Sequence, residues 1–93
     1  MKAIQTKYRG PMNGLGSRIV ATCDGGRTII PYDHNLEPAD NHRAAADKLA
    51  LSLGWGKHGP HALNWTTGTL KDGSYVHVCH YAGETWRTGD FSA

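Results

Sequence analysis

The 93-residue chain has only two cysteines, Cys23 and Cys79, so at most one disulfide is open to it. Small secreted domains that rely on disulfides usually carry more. Residues 1–6 (MKAIQT) also lack the apolar stretch of a secretory signal. Reduced thiols acting as small apolar groups are therefore expected. Long apolar runs are missing as well. The longest apolar cluster, residues 49–53, is broken by Ser52 and falls far short of the roughly 18 residues a membrane helix needs. A soluble, cytosol-type chain follows. Recognisable catalytic and metal motifs are scarce too: no C-x-x-C, no H-E-x-x-H, and no phosphate-binding glycine pattern between a strand and a helix. At this length the chain fits one domain with one core, and a second domain carrying a large cofactor site is excluded.

Acidic residues are sparse at one end. Residues 1–32 hold Lys2, Lys7, Arg9, Arg18 and Arg27 against Asp24 alone, whereas the remainder holds five basic residues against seven acidic ones. The formal net charge of +2 thus conceals a dipolar molecule whose basic end is the N-terminal third.

Period-two alternation in residues 2–8 places Ile4, Thr6 and Tyr8 on one side and predicts a first strand. The glycine- and proline-rich stretch 9–16 predicts a loop. Strands follow at 18–23 and 27–30, joined by Asp24-Gly25-Gly26, whose glycines are expected to supply the positive φ of a tight hairpin. Pro31 stops the third strand. Asp33 and Asn35 suit a turn that bonds its own backbone. A helix then begins at Pro38, with Asp40 in its first turn and His42, Ala45, Ala46, Leu49, Ala50 and Leu53 as the apolar stripe. Arg43 and Asp47, four apart, are expected to pair on its solvent side. Gly54 suits a positive-φ cap, with Trp55 folding back on the last turn. Residues 63–70 and 74–81 read as a hairpin around Lys71-Asp72-Gly73, with Val76 and Val78 on one face and Tyr75, His77, Cys79 and Tyr81 on the other. The expected architecture is α+β: a small, mainly antiparallel sheet in the order β-β-β-α-β-β with one helix packed on one face. Residues 1–81 form the domain, and 82–93 form a tail whose Trp86 and Phe91 favour packing against the body.

Six histidines raise the question of a metal. His58 and His61 have H-x-x-H spacing on a turn, and His77, Cys79 and His80 follow on a strand, enough donors for a structural zinc. Adjacent strand residues point to opposite faces, however, so Cys79 and His80 do not aim at one ion without a bulge. No metal and no cofactor are expected. His77 and Cys79 share a face, but nothing is placed to orient the imidazole, and a mid-strand thiol is more usually packed than nucleophilic. His42 falls on the buried stripe and reads as a satisfied core histidine. Asp33 and His34 are adjacent, a poor arrangement for a catalytic dyad, and the turn reading is better. No catalytic set emerges, and a non-enzymatic protein is expected.

The basic third remains. Lys7, Arg9, Arg18 and Arg27, on three neighbouring strands, form a positive sheet surface suited to an anionic macromolecule. Met12 and Leu15 place apolar side chains in the adjoining loop, where polar ones are the norm. These six residues are the expected partner-binding set.

Residues 1–8 (MKAIQTKY), 16–19 (GSRI), 31–34 (PYDH), 41–46 (NHRAAA) and 53–55 (LGW) resemble a group of small phage and prophage proteins of unassigned function. The resemblance spans roughly residues 1–55, weakens across the 63–81 hairpin, and does not extend to the Trp86–Phe91 tail; it brings no catalytic residues with it. It implies a mobile element acting in the cytoplasm of a bacterial host cell. Compact phage proteins of this size commonly bind a host or defence protein, anti-CRISPR inhibitors being one such class. The leading expectation is therefore an accessory or anti-defence protein that binds a bacterial protein without catalysis. Nucleic-acid binding through the basic N-terminal sheet is the alternative, and no membrane partner is expected. Open sheet edges would also permit a homodimer.

Overall fold

A computed structural model describes residues 3–11, 16–54, 64–80, 86, 87 and 91 of the chain. Among these, the elements run β1 (Ala3–Arg9), β2 (Arg18–Cys23), β3 (Gly26–Pro31), α1 (Pro38–Ser52), β4 (Asn64–Thr69), β5 (Tyr75–His80) and β6 (Trp86–Arg87). This is the expected α+β order, extended by the two-residue β6. The sheet is antiparallel throughout, in the order β3-β2-β1-β5-β4-β6. β1 to β3 form a meander, α1 carries the chain across one face, and the β4–β5 hairpin returns so that β5 pairs with β1. The first strand is thus central.

Alternation decides which side chains meet the helix. On the helix side lie Ile4 and Thr6 of β1, Ile19 and Ala21 of β2, His77 of β5, Trp65 of β4 and Trp86 of β6, all buried. α1 packs against β1, β2, β3 and β5, with Ala45, Ala46, Leu49 and Ala50 buried against them. Three small alanines let the helix backbone approach the sheet closely. Trp65 and Trp86 stack with ring centroids 5.5 Å apart and planes 14° apart, an arrangement that buries a large apolar area.

Pro38 opens the helix and Asp40 lies in its first turn. Asn41 secures the approach to it. Its Oδ1 accepts the Asp33 N–H at 2.8 Å, and its Nδ2 donates to the Asp33 carbonyl at 2.9 Å. The Asn35 N–H in turn donates to Asp33 Oδ1 at 2.9 Å, the expected self-bonded turn. The helix ends at Ser52 and is capped by Leu53, and Gly54 follows at φ 78° as expected. Gly73 closes the β4–β5 turn at φ 88°.

Three expectations fail here. Gly25 and Gly26 do not take the left-handed conformation, although the hairpin forms; Gly26 pairs with Cys23 in the ladder and is held as the first residue of β3. Arg43 pairs not with Asp47 but with Asp40, at 2.8 Å. Asp47 is buried rather than solvent-facing, because the chain returns over the helix and the Phe91 N–H donates to Asp47 Oδ2 at 3.0 Å. Cys23 and Cys79 are free thiols packed against the core. Among the described residues, no helix is long and apolar enough to cross a membrane. Trp55, Leu63 and Tyr81 lie outside the described residues.

Candidate functional site

Chemistry-bearing side chains gather in two places, one inside the molecule and one on its surface. The interior set is a hydrogen-bonded chain beneath α1. The Trp86 indole N–H donates to Thr67 Oγ1 at 2.9 Å. Thr67 Oγ1 lies 2.9 Å from His77 Nδ1, His77 Nε2 lies 3.0 Å from Thr6 Oγ1, and Thr6 Oγ1 lies 2.7 Å from His42 Nδ1. One polarity uses every donor once: Thr67 O–H to His77, His77 Nε2–H to Thr6, Thr6 O–H to His42. Both imidazoles are then neutral. Burial holds the His42 pKa down at about 4, against a smaller opposing pull from the Thr6 backbone. Burial again, with His42 and Arg43 adding like charge nearby, holds His77 at about 3. His42 also stacks on Tyr75, with centroids 4.0 Å apart.

This network binds elements together. Both ring nitrogens of His77 are engaged by threonines, so the imidazole is not free to activate Cys79 or to bind an ion. Among the described residues no group of three His, Cys, Asp or Glu side chains converges; His58 and His61, and the side chain of His80, fall outside them. His42 is the satisfied core histidine expected from its place on the stripe. The burial of His77 was not anticipated, because its partners Thr6 and Thr67 come from other strands.

The surface set is the sheet face away from α1. The register aligns Arg9 with Arg18 and Pro31, Lys7 with Val20 and Ile29, and Gln5 with Thr22 and Arg27. Gln5 also aligns with Val76. Lys7, Arg9, Arg18 and Arg27 therefore share this face, as expected. Within β1 to β5 every Asp, Glu, Lys or Arg residue is one of these four; the strands contain no carboxylate. Among the described residues none of the four makes an ion pair, and no described element packs over them. Lys7, Arg9 and Arg27 are exposed. Arg18 is partly buried, its Nη1 within 3.4 Å of the Gly10 and Gly16 carbonyls at the base of the loop. Met12 and Leu15, the loop members of the expected set, lie outside the described residues.

Sequence reasoning missed the apolar part of this face. Val20 is nearly closed over, while Ile29 beside it is 45% exposed. Together they form a small apolar centre bounded by Arg18 on one side, Arg27 on the other, and Lys7 along the row. The signal was available, since Val20 and Ile29 share the parity of Arg18 and Arg27 in their strands. Lys7 and Arg9 also line a shallow groove of about 360 Å³ with Tyr8, Asp72, Gly73 and Ser74. There the Ser74 hydroxyl and N–H hold the Asp72 carboxyl below its ordinary pKa, and Lys7 adds to the effect. A ring cluster, Tyr8–Tyr32–His34, runs toward the helix-bearing side, with successive centroids 5.3 and 5.1 Å apart; Tyr8 and His34 are exposed and Tyr32 packs partly against the core.

Compared with known proteins, the chain matches no family model, no curated protein and no solved structure.

Proposed function

We propose that this chain is a non-catalytic binding protein whose open sheet face docks onto an acidic surface of another protein. One observation carries the reading: every Asp, Glu, Lys or Arg position of β1 to β5 is cationic, and all four cations lie around the Val20–Ile29 centre on one face over which no described element packs. An apolar centre with a polar rim is the usual anatomy of a protein–protein contact, and a one-sign rim steers an oppositely charged partner. A second copy is a poor occupant, since a two-fold pairing of this face sets Arg against Arg. The resemblance to small phage and prophage proteins supplies the setting, the cytoplasm of a bacterial host, and suggests a host or defence protein as target, with anti-CRISPR-like inhibition as the leading form.

Nucleic acid is the second reading, favoured by the contiguous Lys7–Arg9–Arg18 corner. It fits the face less well. Single strands are usually held on aromatic platforms, and the three strands that carry the cations offer one ring, Tyr8, at the edge groove it lines with Lys7 and Arg9.

Capture from nuclease-treated bacterial extract tests the choice. The same discrete protein is expected with wild type and with Lys48→Glu on the exposed side of α1, but not with Ile29→Asp. Equal capture by Ile29→Asp, or retention of nucleic acid alone in untreated extract, contradicts it.

A further inference from the structure

Arg9 and Arg18 are direct partners across the β1–β2 ladder. Like charges directly opposite on one sheet face repel; among the described residues neither makes an ion pair, and the Asp72 carboxylate, which shares a groove with Arg9, acts on Lys7. Lys7, two residues along β1 on the same face, adds a third positive charge. Arg18 is also partly fixed, since one guanidinium nitrogen reaches the Gly10 and Gly16 carbonyls, both neutral acceptors. Among the described residues its remaining donors meet no acceptor. A sheet could hold Thr, Gln or Glu at either position with less repulsion.

We infer that the Arg9–Arg18 pair, with Lys7 beside it, is a clamp for a carboxylate side chain of the partner, an Asp or Glu followed two residues later by an apolar residue seated on Ile29. This rests on the proposed docking face and names the chemistry it reads. Two guanidinium forks suit a planar carboxylate, which accepts paired N–H bonds. The Val20–Ile29 centre adjoins the clamp in the next row, about one residue pair away along the strands. That spacing fits an acidic and an apolar side chain two residues apart on an extended segment, where they share one face. A phosphodiester backbone supplies the charge but nothing for Ile29.

The probe is a synthetic peptide of Glu-Ser-Leu-Ser repeats (the Glu–Leu peptide), which sets Glu and Leu on one face, with the same peptide carrying Gln for Glu (the Gln–Leu peptide) and a thymidine oligonucleotide of equal charge as the other arms. Binding is followed by amide chemical shifts of the full chain at constant ionic strength. Shifts at residues 7, 9, 18, 20 and 29 are expected with the Glu–Leu peptide, weakened about tenfold by Arg18→Gln. Arg9→Glu should abolish the binding and, by creating a cross-strand ion pair, raise the melting temperature at low salt by about 2–5 °C. Equal binding of the Glu–Leu and Gln–Leu peptides, or preference for the oligonucleotide, overturns the clamp. So does unchanged peptide binding by Arg18→Gln. If extract capture is lost in Ile29→Asp but intact in Arg18→Gln, the docking face stands and the clamp falls. Loss of neither removes both.

Discussion

Thr6 is the residue on which the interior turns. Its single hydroxyl joins His42 and His77, donating to one imidazole while accepting from the other. Thr6→Val keeps the shape and strands two buried ring nitrogens. Losing such partners costs about 1–3 kcal/mol each, so equilibrium denaturation should show a loss of about 2–4 kcal/mol; a change below about half a kcal/mol contradicts the network. The two histidines also set a pH dependence. Their folded pKa values, about 4 and about 3, lie below the ordinary 6.5. Between those limits the unfolded chain binds more protons than the folded one. Stability is therefore full above pH 6.5 and falls as acid is added. Going from pH 7 to pH 5 should cost about 3–4 kcal/mol in denaturant titrations, and equal stability at both values would show that the imidazoles are not buried neutral.

At the scale of elements, the helix entry and the returning tail are held by particular bonds. Asn41→Ala removes both the acceptor for the Asp33 N–H and the donor to its carbonyl. A loss of about 2 kcal/mol is expected, read as a lowered denaturation midpoint with unchanged slope. Trp86→Ala empties a buried site beside Trp65 and should cost about 3–5 kcal/mol; near-wild-type stability would mean that β6 does not complete the core. The strands, the two hairpins and α1 were legible because alternation, turn glycines and an N-terminal proline act over a few neighbouring residues. Gly73 was read correctly from its place between two strands. Asp47 and His77 were not legible. Both are polar residues buried by partners far along the chain, Phe91 for Asp47 and Thr6 for His77, and local pattern carries no trace of such pairings. Gly26 misled for the converse reason: its ladder partner, not its intrinsic freedom, fixes its backbone.

The whole molecule separates charge by face. Among the described residues, the acidic ones occupy turns and the helix side, at Asp24, Asp33, Glu37, Asp40, Asp47 and Asp72, while the charged positions within β1 to β5 are all cationic and share the other face, with Asp72 at its edge beside Lys7 and Arg9. The basic N-terminal third was readable as composition. That its four cations share one face followed from strand parity, which also put Val20 and Ile29 there; that those two are neighbours needed the register of β2 against β3. Attraction across such a face is screened by salt, and association should slow markedly between low and physiological ionic strength, whereas the apolar contact sets how long the complex lasts. The most direct test is a photo-crosslinking side chain placed at position 29 in the bacterial cell, with position 48 on α1 as the comparison. A discrete protein adduct is predicted at 29, reduced by Arg18→Glu and unaffected by nuclease, with little at 48. Adducts formed equally at both positions, or only at 48, would contradict docking through the open sheet face.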